Sequence, residues 1–305
     1  MRVVVVGLGV QGHKRRAIAG VDAVATVDPV NPEAQYKRLE DVPLASYDAA
    51  LLCVPDEPKV ELIRFLLSER KHVLVEKPLF GRKGELQELK ALALGNRVAC
   101  YTAYNHRFEP HFVRMKQVLD SRRLGRIYSI RMFYGNGTAR LVRDSAWRDQ
   151  GAGVLPDLGS HLLDTVLFWL GEPLAGFKVH CAHRFENRAF DHIAFGADAE
   201  PLVQLEVTLL SWRNHHYTDV LAEKGSAHIS SLCKWGPSIF TVRDRKLPSG
   251  RPDEDSVTLV QADPTWALEY AHFKDLCSRG ANNIDNDIWI NDTLADLNRQ
   301  LGLPC

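Results

Sequence analysis

Four consecutive valines followed by a glycine-rich turn constrain the fold of this chain more than any other feature. Val3 to Val6 are β-branched and uninterrupted, which is typical of a strand buried on both faces. The sequence GLGVQG follows at once, and the next residues, HKRRAIAG, read as a short helix that ends near Gly20. A strand, a GxGxxG pattern and a helix in this order predict the first unit of a parallel α/β domain that binds a dinucleotide.

Each glycine of the pattern has a separate physical role. Gly7 permits the tight turn, Gly9 lets backbone N–H groups approach a pyrophosphate, and Gly12 lets the helix pack close to the strand. The phosphates would then lie at the positive N-terminus of the helix. We therefore predict that this loop binds the cofactor through Gly7, Gly9, Val10, Gln11 and Gly12.

An acidic residue indicates which dinucleotide is bound. A second strand, AVATVD, ends at Asp28, whose carboxylate can accept both hydroxyls of an adenosine ribose and would repel a 2′-phosphate. Pro29 beside it removes a backbone donor that a phosphate could have used. We predict NAD in preference to NADP. Arg15, Arg16 and Arg38 would oppose this if one of them folded over that edge, but we interpret them as solvated surface charges.

Strands and helices continue to alternate. Residues 48–55 and 71–79 read as strands, and residues 59–70 have helical spacing between them. This alternation predicts a parallel sheet with ligands at the carboxyl ends of its strands. The residues at those ends that we predict to contact the cofactor are Val54, Pro55, Glu76 and Lys77.

Several motifs carry a resemblance to a known family. GLGVQG, the CVP turn, VEKPL, YNHRF and GVLPDLGSHLLD occur in the order found in the Gfo/Idh/MocA (glucose–fructose oxidoreductase / inositol dehydrogenase) family. The resemblance implies an α/β Rossmann domain over residues 1–103 and an α+β domain over 104–305 with a large, open, mostly antiparallel sheet. It also implies that Lys77 lies near the reacting carbon, that Asp157 faces the substrate, and that His161 transfers the proton.

The sequence departs from this family in two places. The region after Asp28 is short and is broken by Pro29, Pro32 and Pro43, so the usual second crossover helix is expected to be abbreviated or missing. Lys59 stands where many members of the family carry a histidine.

The helix expected between Pro156 and Gly171 carries polar residues among many leucines. Asp157, His161 and Asp164 are spaced i, i+4 and i+7, which places them on one helix face. The structural alternative is that Asp157 caps the helix and His161 is a partly buried, hydrogen-bonded histidine. For Asp164 we expect either support of His161 or a plain structural role.

The chemistry of alcohol oxidation accounts for these residue types. A group that titrates near neutrality must take the hydroxyl proton, and we assign this to His161. Lys77 would bind the same oxygen and stabilise developing alkoxide, while Asp157 would hold a neighbouring hydroxyl or orient the lysine. Other expected contacts of the ligands are Asn105 with the cofactor, and Tyr104, Trp147 and Arg148 with the substrate. Arg107 is expected to tie the two domains together.

Alternating segments after residue 127 predict the strands of the second domain, and residues 264–280 and 286–302 read as helices. His215 and His216 are adjacent, so in a strand they point to opposite faces, and we predict no metal site. One face of the sheet is expected to be left open, with apolar residues that pair two copies of the chain in a homodimer or homotetramer. The residues assigned to that face are Val203, Leu205, Val207 and Leu209.

Composition narrows the possible functions. The 38 basic and 38 acidic residues cancel, which argues against a general nucleic-acid or anionic-membrane binder. The six cysteines form no CxxC pair, and MRVVVVG is too short for a signal-peptide core, so we expect a cytoplasmic protein with reduced thiols. The predicted function is an NAD(P)-dependent oxidoreductase for a sugar, cyclitol or sugar derivative. The alternatives are an NAD-dependent glycoside hydrolase that uses transient oxidation and a non-catalytic dinucleotide sensor.

Overall fold

The computed structural model describes residues 1–146 and 148–303, apart from the side chain of Lys83. The chain forms two compact units. The first contains Met1–Asn105 and Pro264–Asn291, and the second contains His106–Asp263 and the residues from Asp292 onward. The predicted division had placed all of 104–305 in the second domain, whereas the structure returns Pro264–Asn291 to the first.

The first unit is built on a five-stranded parallel sheet of order β2-β1-β3-β4-β5. Its strands are β1 (Val3–Val6), β2 (Ala23–Val27), β3 (Ala49–Leu52), β4 (His72–Glu76) and β5 (Cys100–Ala103). Its first three helices are α1 (Val10–Ala19), α2 (Lys59–Ser68) and α3 (Lys83–Asn96). The predicted alternation of strands and helices is confirmed, and the fold is that of a Rossmann domain.

Both faces of this sheet are buried. Val4 and Val6 belong to one apolar cluster, and Val3 and Val5 belong to a second cluster on the opposite face. Successive side chains of a strand point to opposite faces, so four valines in a row can supply both clusters. This is the reason that the strand reads as an uninterrupted apolar run.

The connection from β2 to β3 contains no α-helix anywhere in residues 28–48, all of which the structure describes. Only two short 3₁₀ helices occur there, over Leu39–Asp41 and Leu44–Ser46. Tyr36 N donates to Thr26 O at 3.0 Å, so in place of a crossover helix the chain runs along the edge of β2. The predicted loss of the second crossover helix is confirmed.

The second unit is built on an eight-stranded sheet of order β13-β12-β11-β10-β6-β9-β8-β7. All neighbours are antiparallel except β6 and β9, which are parallel. The strands are β6 (Ile127–Gly135), β7 (Phe177–His183), β8 (His192–Ala197), β9 (Leu202–Thr208), β10 (His215–Ala222), β11 (Gly225–Ser230), β12 (Ser238–Lys246) and β13 (Gly250–Leu259). The predicted large, mostly antiparallel sheet is confirmed.

Helices cover one face of this sheet. They are α4 (Pro110–Asp120), α5 (Ala139–Arg143) and α6 (Ser160–Leu170), and α6 is preceded by a π turn over Leu155–Gly159. Trp169 Nε1 of α6 donates to Phe112 O of α4 at 3.0 Å, which joins the two longer helices.

The four residues predicted to line the open face lie on the covered face instead. Val203, Leu205, Val207 and Leu209 are buried within the single chain, while the alternate residues Leu202 and Gln204 are exposed. The alternation along β9 was read correctly, but the face was assigned to the wrong side, because the period of a strand does not say which face the helices cover.

Two further helices close the chain, α7 (Thr265–Arg279) and α8 (Ile284–Gln300), as predicted. Phe273 of α7 is fully buried in the cluster that contains Val3 and Val5, which explains why this segment belongs to the first unit. Among the helices described, none is both long and apolar enough to cross a membrane.

Candidate functional site

The glycine loop of the first unit has the geometry that close approach of a phosphate requires. Gly7 has a φ of +88°, and a methyl group there would lie 2.4 Å from Cys53 O. A methyl group at Gly12 would lie 1.8 Å from Gly7 O, so only glycine lets α1 approach the turn. At Gly9 a methyl group would meet no described atom within 4 Å. The backbone around Gly9 is therefore accessible from outside the loop.

The start of α1 also fits a dinucleotide pyrophosphate. The first N–H groups of a helix have no intrahelical acceptor, and here Gly9 caps the helix without a side-chain hydrogen bond. Val10 is 85% exposed and Gln11 is exposed, so the first turn faces solvent. When bound there, a pyrophosphate would be held by these N–H groups and the positive end of the helix.

Asp28 accepts three backbone hydrogen bonds. Oδ2 accepts from Leu8 N at 2.7 Å, and Oδ1 accepts from Val30 N at 2.9 Å and Asn31 N at 2.8 Å. Partial burial acts to raise the pKa of this carboxyl, but the three N–H groups outweigh it and lower the pKa. A carboxylate has about four lone-pair sites, so at least one remains for a ribose hydroxyl.

Arg15 is not a solvated charge, contrary to the sequence interpretation. Its side chain is 1% exposed, with Nε donating to Glu76 Oε1 and Nη2 paired with Glu269 Oε2, both at 2.7 Å. Burial acts to lower the pKa of Arg15, but the two carboxylates raise it overall. Arg15 thus fixes Glu76 of the Glu-Lys-Pro motif from the side of α1. Arg16 and Arg38 are exposed, as predicted.

The carboxyl ends of β3 and β4 carry the other predicted cofactor residues. Val54 is half-buried against the apolar core and Pro55 is exposed. Glu76 ends β4, and Lys77 and Pro78 follow it, all three half-buried. The peptide bond between Lys77 and Pro78 is cis. These residues lie at the strand ends, where ligands of parallel α/β sheets bind.

Two predicted contacts are buried. Tyr104, which is predicted to contact the substrate, is almost completely buried. Asn105 is also buried, and its Nδ2 donates to Thr265 Oγ1 at 2.8 Å. A contact of Asn105 with the cofactor would have to use the rest of its amide.

In the second unit, Asp157 and His161 lie at the start of a helix that is distorted. Asp157 falls in the π turn over Leu155–Gly159, and His161 is in the first turn of α6. A regular α-helix was predicted here. A single π turn inserted into an α-helix is frequent at functional sites, because it changes the direction of the side chains around it.

His161 is surrounded by other rings. Its ring stacks on that of His106, with centroids 4.1 Å apart and an interplanar angle of 21°. Tyr134 meets His161 edge-on at 6.0 Å, and Trp235 lies 5.7 Å from Tyr134. Lys234 Nζ lies 3.3 Å from His106 Nε2. Since an ammonium group only donates, Nε2 must accept, and a neutral His106 then carries its proton on Nδ1.

Sequence reasoning missed this cluster of His106, Tyr134, Lys234 and Trp235. His106 stands in the YNHRF motif, but nothing in the motif indicated that its ring would stack on that of His161. Lys234 and Trp235 are more than 70 positions from His161 along the sequence. Only the order of the strands brings them together, with β6 paired to β10 and β10 to β11.

Asp164 pairs with Arg107, which agrees with the plain structural role, the second of the two roles expected for it. Arg107 Nε and Nη2 lie 2.8 and 2.7 Å from Asp164 Oδ2 and Oδ1, in a bidentate ion pair. Both residues belong to the second unit, so this pair does not tie the two units together. Burial raises the pKa of the Asp164 carboxyl, and Arg107 opposes that shift.

Arg148 lies near Asp157, with Nη2 3.8 Å from Oδ2, so two of the residues predicted to contact the substrate are close together. Both side chains are partly exposed. Burial raises the pKa of Tyr134, and the charge of Asp157 adds to the rise. Trp147, the third predicted contact in this region, lies outside the described residues.

His215 and His216 point to opposite faces of β10, as predicted. His215 is exposed, whereas His216 is fully buried and its pKa is lowered to about 3 by loss of solvation. Within the part of the chain that the structure describes, no group of three or more His, Cys, Asp and Glu side chains could hold a metal ion.

Two family models match the chain. Residues 1–104 match the model described as "Oxidoreductase family, NAD-binding Rossmann fold", and residues 112–228 match the "GFO/IDH/MocA C-terminal domain". The first match lies within the first unit and the second match lies within the second unit.

Curated relatives align over part of their length. An uncharacterized oxidoreductase of Schizosaccharomyces pombe is 32% identical over 143 residues, which is 45% of this chain and 38% of that protein. Inositol 2-dehydrogenase 2 of Saccharopolyspora erythraea is 28% identical over 203 residues, which is 60% of this chain and 58% of that protein. The aligned part is thus less than two thirds of the length of either relative.

Solved structures resemble the whole chain in fold. Levoglucosan dehydrogenase in complex with NADH and levoglucosan superposes with a TM-score of 0.81 over 98% of this chain and 97% of that one. The sequence identity is 16%, so this likeness is one of fold alone.

Proposed function

Because the chain belongs to the GFO/IDH/MocA oxidoreductase family and its first unit is an NAD-binding Rossmann domain, we propose that it is an NAD-dependent dehydrogenase or ketoreductase. The reaction exchanges a hydride between nicotinamide and a secondary alcohol or ketone. The observation that carries the proposal is the placement of His161, a mostly buried imidazole in the first turn of α6 directly after the π turn, with a second imidazole stacked on it. A proton-transfer group requires a fixed orientation of this kind.

We assign the following roles in hydride and proton transfer to the residues of the chain. Nicotinamide supplies or accepts the hydride when it is bound. His161 takes the hydroxyl proton during oxidation and returns it during reduction. Lys77 hydrogen-bonds the reacting oxygen, where its charge stabilises a developing alkoxide. Asp157, which is partly exposed beside Arg148, holds a neighbouring substrate hydroxyl.

The substrate class we propose is a sugar, cyclitol or sugar derivative. One relative is named an inositol dehydrogenase, and the half-buried ring of Trp235, which packs on Tyr134 in the cluster around His161, is a surface of the kind on which the apolar face of a sugar ring packs. Asp157 and Arg148 add charged groups that can hydrogen-bond several hydroxyls.

We propose NAD rather than NADP because of Asp28. Like an ordinary aspartate it is ionised at neutral pH, and its negative charge lies just after β2, where it would repel a 2′-phosphate. The three hydrogen bonds that it accepts from backbone N–H groups fix the position of this charge.

We also propose that the open face of the second sheet pairs two copies of the chain. Large apolar side chains are exposed there, among them Leu202 of β9, Leu221 of β10 and Ile239 of β12. The strand register places Leu221 and Leu202 on either side of Ser129. Replacing Leu221 by Asp should shift the mass measured by light scattering from dimer or tetramer toward monomer.

A cytoplasmic location stays a prediction.

The test of the proposed function is a panel of polyols, sugars and nucleotide-sugars incubated with NAD or NADP while nicotinamide absorbance is recorded. The proposal expects reduction of NAD by at least one compound. NAD that stays bound while a glycoside is cleaved without net NADH would point to the glycoside hydrolase alternative. Binding of NAD with neither reaction would point to a sensor.

A further inference from the structure

Lys59, the first residue of α2, is a buried lysine with an unusual set of partners. Its side chain is 2% exposed, and Nζ donates to Glu76 O at 2.8 Å, to Pro78 O at 2.7 Å and to Asp56 Oδ1 at 2.7 Å. An ammonium group has three hydrogens, so these bonds use its full capacity. Two of the three acceptors are main-chain carbonyls of the Glu-Lys-Pro motif.

Those two carbonyls flank Lys77. The oxygen of Glu76 belongs to the peptide that precedes Lys77, and the oxygen of Pro78 belongs to the peptide that follows the motif. One ammonium group bound to both therefore fixes the distance between the two ends of this short turn. Lys59, at the start of α2, therefore binds the backbone on both sides of Lys77.

A second buried cation holds the same motif from another element. Arg15 of α1 binds the Glu76 carboxylate at 2.7 Å. The side chain of Glu76 and the backbone on both sides of Lys77 are thus bound by two different helices of the same unit.

Simple packing does not require a charge at position 59. Burial lowers the pKa of Lys59 because solvent is lost, and Asp56, which offsets this, has a side chain that is 50% exposed. An apolar side chain of similar length would avoid that loss of solvation, but it could not bind the two carbonyls. The cost of burial therefore indicates a need for defined backbone geometry rather than for stability alone.

We propose that Lys59 is a positioning residue that sets the orientation of Lys77 toward the reacting oxygen. This rests on the proposed function, in which Lys77 binds that oxygen. Lys59 itself contacts neither substrate nor cofactor in this role, and it acts through the carbonyls of Glu76 and Pro78.

Lys71 provides a matched control. Its Nζ also donates to two main-chain carbonyls, Leu44 O at 2.6 Å and Tyr47 O at 2.9 Å, within the same unit. It stands before β4, at the opposite end of that strand from Lys77. Lys71→Met thus removes a comparable pair of bonds without touching the motif.

The experiment compares Lys59→Met, Lys59→Arg and Lys71→Met with the wild-type protein. We expect Lys59→Met to lower kcat by about 10²-fold with little change in KM, since a small displacement of a catalytic group costs about that much. The Kd for NADH, measured by fluorescence titration, should stay near the wild-type value. Lys59→Arg, which keeps donors and charge, should recover part of kcat, and Lys71→Met should keep the wild-type kcat.

Hydrogen exchange measured by mass spectrometry supplies a readout that does not depend on turnover. Lys59→Met should speed amide exchange in the segment 76–80, and Lys71→Met should not. Unchanged exchange in Lys59→Met, or an active wild-type protein whose Lys59→Met variant keeps its kcat, would overturn the inference. If the wild-type protein turns over no substrate, the proposed function fails, and exchange alone decides the role of Lys59. If Lys59→Met does not fold, Lys59→Gln is measured in the same way.

Discussion

The buried ion pair between Arg107 and Asp164 makes a quantitative prediction about stability. Arg107 follows His106 in the chain, and Asp164 lies one helical turn after His161, so the pair joins the two backbone segments that carry the stacked imidazoles. Replacing Arg107 by Met removes both bonds and leaves the Asp164 carboxylate, 1% exposed, without its cation.

The size of the effect follows from burial. Removing one partner of a buried ion pair costs about 3–5 kcal/mol, because the remaining charge is neither solvated nor paired. Arg123 and Asp244 form a bidentate pair of similar distances in the same unit, but their side chains are 44% and 46% exposed. Arg123→Met should therefore cost at most about 1 kcal/mol.

The assay is urea unfolding followed by tryptophan fluorescence and circular dichroism, with free energies compared at one pH. The deficit of Arg107→Met should also depend on pH. Burial raises the pKa of Asp164, so in this variant the carboxyl takes up a proton as the pH is lowered, and the deficit should shrink. The double variant Arg107→Met with Asp164→Leu should recover most of the loss.

Equal losses in Arg107→Met and Arg123→Met would refute the reasoning. So would a deficit that does not change with pH, because the predicted cost comes from a buried, ionised carboxylate.

Three further predictions concern the cofactor loop, a buried acid and the proton-transfer group. Gly9→Ala should keep the wild-type Tm, since the added methyl group would meet no described atom within 4 Å, but it should weaken NADH binding because the methyl group would fill space that the cofactor needs beside the loop. Gly12→Ala should lower Tm, because its methyl group would lie 1.8 Å from Gly7 O. Burial raises the pKa of Glu269 from 4.5 to about 7, so its contribution to stability is complete below about pH 4.5 and is lost as the pH rises through 7. Glu269→Gln should flatten that part of the stability curve. His161→Asn should lower turnover by about 10²–10⁴-fold. The control is His111→Asn, which removes another buried imidazole of the same unit. This variant should lower Tm but keep the wild-type turnover per folded molecule.

The fold could be predicted largely from the sequence because its signals are local. Four valines, the glycine pattern after them and the alternation of strands with helices each follow from the backbone needs of a few neighbouring residues. The missing crossover helix was predictable for the same reason, since Pro29, Pro32 and Pro43 act where they stand.

Features that depend on contacts distant in sequence were not predictable. The alternation along β9 showed that Val203 and Leu205 share a face, but which face the helices cover is decided by the whole unit. Arg15 looked like a surface charge until Glu269, more than 250 residues away, was placed beside it.

The candidate site shows the same limit. Its motifs marked Lys77, Asp157 and His161, but the partner of Asp164 and the ring that stacks on His161 both come from residues 106 and 107, which carried no such signal. The role of Lys59 could not be predicted either, because two of its acceptors are backbone carbonyls. Every residue carries such a carbonyl, so the sequence does not show which ones a lysine will bind.

Transfer of deuterium tests the central claim most directly. A substrate found in the panel is labelled with deuterium on the carbon that bears the reacting hydroxyl and is incubated with NAD. Direct hydride transfer predicts that the deuterium appears in the reduced nicotinamide and that His161→Asn slows its appearance. Deuterium released to solvent, or NAD that binds but is reduced by no compound of the panel, would contradict the account.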